Sequence, residues 1–253
     1  MFIPKKEIKV LNHQDKGCND SFSVLCWNIA KQPYSGSYKK YLNTLVANEE
    51  IDLLLLQEAR QEITKKPGID GYSFILSPNI QIKNHLFGVL SAFKISCENA
   101  LSILTKKREL IYATHKVALI TQHKLPNGEI LLIANLHAIN FVKNDDFDHE
   151  LQTIKSAIAS HKGAMIVAGD FNTWNTKRVE SLQKFAHDLA LSQVEFHDST
   201  HLKRVFSNTL DHIFYRELQL LDSKIIDSKK MSDHNPIIAR FRLIPHERSE
   251  DEK

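Results

Sequence analysis

Residues 164–173 (AMIVAGDFNT) constrain the fold of this chain more than any other segment. Their apolar half, with the β-branched Ile166 and Val167, predicts a buried strand. Gly169 indicates a bend, or a close approach that a Cβ atom would obstruct. Asp170 and Asn172 follow at i, i+2 spacing, which on an extended backbone directs both polar side chains to one side. The segment is typical of a site at the edge of a sheet, although Asp and Asn also occupy ordinary turns.

Other strand-like runs clearly outnumber the amphipathic helical segments. The aliphatic run over residues 51–56 predicts a central strand, and the Asn127-Gly128 pair predicts a tight hairpin. Helical spacing of apolar residues is confined to three segments, at 37–48, 147–158 and 179–189. Because strands follow one another without intervening helices, mixed and mainly antiparallel sheets capped by helices are favoured over a doubly wound fold.

The domain organisation follows from the length and the absence of a linker. No Pro-, Gly- or Ser-rich stretch divides the 253 residues, which favours one domain. We expect a single catalytic domain over residues 21–245, a loose extension over 1–20 and a flexible acidic tail over 246–253.

The cysteine count and the hydropathy pattern narrow the class of protein. Three cysteines without a CxxC motif argue against a disulfide framework or a zinc knuckle. We find neither an N-terminal signal-like run nor an apolar run of membrane-spanning length, so we expect a cytoplasmic protein without a transmembrane segment. Nothing in the sequence indicates an obligate protein partner.

The net charge is a weak indicator of partners. A formal charge of +3 is too mild to identify a nucleic-acid-binding protein on its own. Basic doublets such as Lys177-Arg178 recur, but solvated loops and helix faces explain them equally well.

Several polar residues share one position relative to the predicted strands. Each lies at or just beyond the end of an apolar run, and strand ends gathered at one rim of a sheet would place their side chains in one cleft. These residues are Asn28, Glu58, His137, Asp170, Asn172, Asp211, Asp233 and His234.

The residue types indicate the chemistry of such a cleft. The oxygen donors of Asn28, Glu58 and Asp233, with no thiolate, suit Mg²⁺ or Mn²⁺ better than zinc. Asp211 and His234 form a plausible carboxylate–imidazole pair. A divalent cation, histidines and amide donors together are typical of the hydrolysis of a phosphate ester.

Six motifs resemble, in order and approximate spacing, those of the endonuclease/exonuclease/phosphatase superfamily, across residues 22–243. The resemblance implies an α+β fold, a four-layered α-β-β-α sandwich with two mixed, mainly antiparallel sheets. Within the superfamily, the compact length and the segments 135–141 and 210–216 resemble small bacterial members of unassigned substrate. The motifs are Trp27-Asn28-Ile29, Gln57-Glu58, Asn135-Leu136-His137, Gly169-Asp170-Phe171-Asn172, Leu210-Asp211 and Ser232-Asp233-His234.

The resemblance also implies roles for the metal and water side of the site. Glu58 is expected to be the principal ligand of a Mg²⁺ or Mn²⁺ ion, assisted by Asn28 and Asp233. Asp170 is expected to orient or deprotonate the attacking water, and Asn172 to hold that water and the phosphate.

On the phosphate side, the resemblance implies that His234, paired with Asp211, binds and stabilises the phosphoryl group, or acts as the general base as in some members. His137 is expected to assist the leaving group, and Asn140 to contact the phosphate.

Three further residues border these motifs without a fixed role. Glu109 matches a carboxylate that supports the equivalent of His137 in some members, although a solvated loop position is the simpler interpretation. Trp174 and Phe206 are candidates for stacking on a base or a lipid, but packing under the loops is the simpler interpretation for both.

The first functional hypothesis is a metal-dependent phosphodiesterase or nuclease with nucleic acid as its substrate. The alternative is a phosphatase or phosphodiesterase for a small-molecule or lipid phosphate, such as an inositol phosphate or sphingomyelin. A catalytically silent binding module is less favoured, because all the acidic residues and the final histidine are retained. The sequence contains neither a GxSxG motif nor a P-loop.

Overall fold

A computed structural model describes residues 8–10, 19–65, 69–105, 115–140, 142–196, 204–205 and 208–244. Within these ranges the chain forms fifteen strands and three helices. In chain order they are β1 (Ile8–Val10), β2 (Ser21–Asn28), α1 (Gly36–Asn48), β3 (Leu53–Glu62), β4 (Ser73–Ile82), β5 (His85–Phe93), β6 (Asn99–Leu104), β7 (Val117–Lys124), β8 (Ile130–His137), α2 (Asn144–Ile158), β9 (Met165–Asp170), α3 (Thr176–Asp188), β10 (Ser192–Gln193), β11 (Arg204–Val205), β12 (Asn208–Thr209), β13 (Asp211–Arg216), β14 (Leu218–Ile225) and β15 (Ile237–Leu243).

The strands form two large sheets and one small ribbon. The seven-stranded sheet has the order β1-β4-β5-β3-β2-β15-β14, and the six-stranded sheet has the order β10-β13-β9-β8-β7-β6. Two pairs are parallel, β2 with β3 and β8 with β9, and each is connected through a helix. The other pairs of the two sheets are antiparallel. The mixed, mainly antiparallel sheets that the sequence predicts are therefore confirmed.

Alternation of apolar residues explains how the sheets pack face to face. In β3, Leu53 and Leu55 belong to the core between the two sheets, whereas Leu54 and Leu56 face the opposite way. This period of two places half of each strand in the inter-sheet core and half under the helices. Both faces of the central strands are therefore covered, as their near-continuous apolar runs indicate.

The helices cover the outer faces of the two sheets. Leu42 of α1 packs with Leu54 on the outer face of the seven-stranded sheet. Phe147 of α2 and Phe185 of α3 pack with Val167 on the outer face of the six-stranded sheet. The result is the predicted four-layered α-β-β-α sandwich.

The structure differs from the predicted elements in two places: it has an additional strand near the N-terminus, and one strand is shorter than predicted. Ile8–Val10 form an edge strand paired with β4, within the extension over residues 1–20 that the sequence led us to expect as loose. The sequence also predicts a strand near residues 193–196, whereas the structure has a two-residue strand at Ser192–Gln193. The acidic tail lies outside the described residues. None of the helices in the described ranges is long and apolar enough to cross a membrane.

Candidate active site

Strand register places the predicted site residues at one edge of the sandwich. Asn28 ends β2, and His137 and Asp170 end the parallel strands β8 and β9 as direct neighbours. Asp211 begins β13 directly opposite Asp170. A hydrogen bond from Asn28 Nδ2 to Asp170 Oδ2, at 2.9 Å, joins the two sheets at this edge. The expected gathering of strand ends is thus observed.

The Asp170 carboxylate lies at the centre of the cluster. Its Oδ1 accepts a hydrogen bond from the backbone N–H of Asn172 at 3.0 Å. Its Oδ2, besides the bond from Asn28, lies 3.8 Å from His137 Nε2 and 3.7 Å from His234 Nε2. A buried carboxylate is thus fixed between two imidazoles and two amide donors.

The environment of Asp170 raises its pKa to about 6. Burial is the main cause, because it penalises the charged form, and the neighbouring Asp211 carboxylate adds to it. His234 and the hydrogen bonds from Asn28 and Asn172 oppose the shift. The Asp170 carboxylate therefore becomes a stronger base than a solvated aspartate.

His234 is held from three directions. Its Nδ1 lies 2.7 Å from Asp211 Oδ2, which fixes the ring and directs Nε2 towards Asp170. Its carbonyl oxygen accepts a hydrogen bond from Trp27 Nε1 at 2.9 Å, and its N–H donates to Ser232 Oγ at 3.1 Å. One ligand atom from each of Asp170, Asp211 and His234 lies within 4.8 Å of the others. The predicted carboxylate–imidazole pair is present.

Glu58 occupies an irregular position at the end of the aliphatic run. The pairing of β3 with β5 shifts register between Leu56 and Ala59, and Glu58 has a φ of 52°. This bulge re-aims the side chain, as bulges beside functional sites commonly do. Its Oε1 lies 3.9 Å from His137 Nε2, and its Oε2 lies 3.0 Å from Lys31 Nζ. Glu58 therefore borders the same cleft as Asp170.

His137 has a neighbour that the sequence did not indicate. Lys116 Nζ lies 2.9 Å from His137 Nε2. The pKa of His137 is well below its ordinary value, first because of burial and then because of the positive charge of Lys116. Lys116 directly precedes the strand that pairs with β8, and a lysine at a strand start is usually solvated, so no local pattern marks it.

Asn172 and Arg178 shape the loop beside these residues. Asn172 has a φ of 51°, and its Nδ2 donates to the carbonyl of Ala138 at 2.9 Å. Arg178 Nη1 donates to the carbonyls of Ile139 at 2.9 Å and Asn172 at 3.0 Å. Because Arg178 is fully buried, the solvated-face interpretation of the doublet at 177–178 is wrong for this residue.

The remaining predicted residues lie around this centre or outside the description. Asn140 Oδ1 accepts a hydrogen bond from Trp174 Nε1 at 3.0 Å, so this tryptophan is tied to a predicted phosphate contact. Asp233 is exposed, directly before His234, and Ser232 Oγ lies 3.5 Å from its Oδ1. Glu109 and Phe206 lie outside the described residues.

The donor chemistry of the cleft fits a hard divalent cation. Asn28 and Glu58 supply amide and carboxylate oxygens, which Mg²⁺ and Mn²⁺ prefer. Cys26, the nearest cysteine in sequence, instead directs its sulfur to Gln57 inside the sandwich. Among the described residues, the buried Oδ1 of Asp211 has no hydrogen-bond partner, so the cleft carries more negative oxygen than its own donors satisfy.

Comparison with known proteins agrees with this fold and identifies the family. The family model described as "Endonuclease/Exonuclease/phosphatase family" matches residues 25–234. A UPF0294 protein of Yersinia pseudotuberculosis is 35% identical over 225 residues, covering 87% of this chain and 83% of that protein. The chain belongs to the endonuclease/exonuclease/phosphatase family. This family includes metal-dependent hydrolases of phosphate esters.

Solved structures show the same fold at low sequence identity. An endonuclease/exonuclease/phosphatase family protein from Leptotrichia buccalis superposes with a TM-score of 0.69 at 18% identity, over 88% of this chain and all of that chain. The catalytic domain of human Nocturnin with a bound sulfate anion gives a TM-score of 0.65 at 19% identity, over 94% of this chain and 97% of that chain.

Proposed function

We propose that this protein is a divalent-metal-dependent phosphodiesterase that hydrolyses nucleic acid by in-line attack of a water molecule. One observation carries the proposal. The buried Asp170 carboxylate is hydrogen-bonded by Asn28 at 2.9 Å and faces the Nε2 atoms of His137 and His234 at 3.8 and 3.7 Å. A base, two imidazoles and an amide donor thus surround one point of the cleft, as hydrolysis of a phosphate ester requires.

Asp170 is the residue that orients the water and takes its proton. Its pKa of about 6 leaves it mostly ionised at neutral pH but more basic than a solvated aspartate. General bases work best when their pKa is close to the working pH. The hydrogen bonds from Asn28 and from the Asn172 backbone hold the carboxylate in one orientation. The carboxylate is therefore positioned to orient the attacking water before the substrate binds.

His234 is the residue that stabilises the phosphoryl group. Asp211 fixes its ring through Nδ1, and this directs Nε2 into the cleft, where we expect the phosphoryl oxygens to bind. Asn140 is the expected second phosphate contact. Its Oδ1 accepts a hydrogen bond from Trp174 Nε1 at 3.0 Å, which fixes the orientation of the Asn140 amide group.

Glu58, Asn28 and Asp233 are the residues that would hold the cation. When bound, a divalent cation neutralises phosphoryl charge and acts as a Lewis acid. Glu58 presents its carboxylate to the same cleft as His137, and its side chain is 21% exposed, so solvent and ions reach it.

Nucleic acid is the substrate class that the charges favour. The chain is net positive, and two ammonium groups, those of Lys31 and Lys116, lie against Glu58 and His137 at the cleft. The sulfate bound to the Nocturnin domain is a tetrahedral anion of the same shape as a phosphate.

A substrate screen tests the proposal. Plasmid DNA, single-stranded RNA, abasic duplex DNA, inositol phosphates and sphingomyelin are incubated with Mg²⁺ or Mn²⁺, with the Glu58→Ala variant as the blank. We expect hydrolysis of DNA or RNA that EDTA abolishes and that the blank lacks. Turnover confined to inositol phosphates or sphingomyelin would replace the substrate class by a small or lipid phosphate, and no turnover at all would favour a binding module.

A further inference from the structure

Lys116 is a buried cation whose ammonium lies in the cleft. Lys116 is only 8% exposed, and its Nζ lies 2.9 Å from His137 Nε2. Its backbone is fixed on both sides, because its N–H donates to Thr105 Oγ1 at 2.9 Å and its carbonyl accepts from the Thr105 N–H at 3.0 Å. The ammonium is thus built into the site rather than placed there by a mobile surface side chain.

The hydrogen bond between Lys116 and His137 has a fixed direction. An ammonium group has only donors, so His137 Nε2 must be the acceptor and carries no hydrogen in this arrangement. This same nitrogen is the ring atom that lies 3.9 Å from Glu58 Oε1 and 3.8 Å from Asp170 Oδ2. The ring atom of His137 that points into the cleft is therefore not a proton donor, and the hydrogen in this contact belongs to the Lys116 ammonium.

Burial and the neighbouring charge act in the same direction on the ring. Both lower the pKa of His137 and favour its neutral form, which is the form that accepts from Lys116. A buried charge such as that of Lys116 also acts more strongly on a developing anion than a solvated charge does. Lys31, the other ammonium at the cleft, is 61% exposed in its side chain and pairs with Glu58 instead.

We infer that Lys116 is a catalytic residue of this site, and that its ammonium, held in place by His137, protonates the leaving oxygen. The inference rests on the proposed phosphodiesterase function. The bond from the water oxygen to phosphorus forms, and the bond from phosphorus to the leaving oxygen breaks with its electron pair on that oxygen. Lys116 transfers a proton to that oxygen, and Asp170 takes a proton from the water. Exchange with solvent restores both groups.

The dependence of the rate on the leaving group distinguishes this role from a structural one. A proton donor matters for a basic alkoxide and hardly at all for a stable phenolate. The two substrates are the dinucleotide TpT, with an alkoxide leaving group, and thymidine 5′-(4-nitrophenyl phosphate), with a phenolate. For Lys116→Met we expect kcat on TpT to fall on the order of a hundredfold, and kcat on the nitrophenyl ester to fall less than about fivefold.

Two further variants keep the test decisive. Lys116→Arg keeps the charge but does not release its proton, so we expect an unchanged KM and a lowered kcat on TpT. Lys124→Met, at the exposed last residue of β7, the strand that Lys116 directly precedes, is the matched control and should leave both rates unchanged. If the wild type cleaves both substrates and Lys116→Met loses activity equally on both, or on neither, the proposed role of Lys116 is overturned. The proposed phosphodiesterase function would then still stand. A wild type that cleaves neither substrate would overturn the proposed function together with this role.

Discussion

Arg178 determines the shape of the loop that carries two of the site residues. Asn175 caps α3 by accepting from the Arg178 backbone N–H at 2.9 Å, which places this side chain in the first helical turn and directs it inward. There the guanidinium donates to three carbonyls and stacks over the rings of Phe147 and Trp174, with centroid distances of 4.6 and 5.1 Å. Its planar fork satisfies acceptors that a lysine could not satisfy together.

Replacing Arg178 by Met should lower the free energy of unfolding by about 3 kcal/mol or more, because several buried carbonyls lose their donor. Urea unfolding of the purified protein measures the change. Lys177→Met, at the exposed neighbouring position, should stay within about 0.5 kcal/mol of the wild type. A similar small effect at both positions would contradict the structural role of Arg178.

The raised pKa of Asp170 makes stability depend on pH. A carboxyl group whose pKa rises from 3.8 to about 6 on folding binds its proton more tightly in the folded state. The contribution of Asp170 to the free energy of unfolding is therefore largest below about pH 4. It decreases as the pH rises to about 6 and changes no further above that. In the Asp170→Asn variant this dependence is absent, because the amide does not titrate.

We compare the free energies of unfolding of Asp170→Asn and the wild type in EDTA. As the pH rises from about 4 to 7, the wild type should lose about 2 kcal/mol relative to the variant. Urea unfolding at a series of pH values measures it, and any constant offset from altered hydrogen bonds cancels. A difference that does not change with pH would show that Asp170 is not perturbed in the folded state.

At the scale of single residues, the sequence identifies the acidic and amide residues of the site but not its buried basic residues. Asn28, Glu58 and Asp170 are visible because each interrupts or ends an apolar run. Lys116 and Arg178 are not visible, because charged residues near the starts of strands and helices are usually solvated. Their burial depends on partners 21 and 39 residues away, His137 and Ile139, which no local pattern reveals.

At the scale of elements, a buried amide pair connects the two sheets below the site. Gln57 Nε2 in β3 donates to Asn135 Oδ1 in β8 at 2.7 Å, and Asn135 Nδ2 donates to the carbonyl of Leu90 at 3.0 Å. Both side chains are fully buried. A satisfied polar pair in an apolar core favours one register of one sheet on the other. Glu58 and His137, which lie close beside this pair in sequence, are thereby held at a fixed separation.

Gly169 permits the close approach of β8 and β9 that the sequence indicated. A Cβ atom there would lie 1.9 Å from the backbone oxygen of Leu136, and its φ is +153°. Gly169→Ala should therefore lower the free energy of unfolding by about 3 kcal/mol or more, or prevent folding, because backbone has to move.

Thermal and urea unfolding measure the effect of Gly169→Ala. The matched control is Gly163→Ala, where the nearest atoms to a new Cβ lie at 3.6 Å and the contact is ordinary. We expect this control within about 1 kcal/mol of the wild type. Normal stability of Gly169→Ala would show that the two strands do not approach as described.

The elements themselves were largely predictable from the period of apolar residues. The helix predicted at 37–48 is observed at Gly36–Asn48, and the central strand predicted at 51–56 is observed at Leu53–Glu62. The edge strand Ile8–Val10 was not predicted, since an edge strand depends on the pairing partner that a neighbouring sheet offers.

At the scale of the whole molecule, the site exists only when distant segments are folded together. The hydrogen bond between Asn28 and Asp170 joins residues 142 positions apart, and that between Trp27 and His234 joins residues 207 positions apart. The sequence alone predicted this convergence only through the shared position of polar residues at strand ends and through the family resemblance. Distances and hydrogen-bond directions depend on how the two sheets pack, which no local sequence pattern specifies.

The Mg²⁺ dependence of phosphodiester hydrolysis tests the central claim most directly. Initial rates on plasmid DNA and on TpT are measured across a Mg²⁺ titration for the wild type, Glu58→Gln and the matched control Glu62→Gln, which alters a carboxylate on the same strand that pairs with Lys65. We predict saturable Mg²⁺ activation in the wild type and the control, and a loss on the order of a hundredfold or more in Glu58→Gln. Undiminished Mg²⁺-dependent turnover in Glu58→Gln would contradict the account.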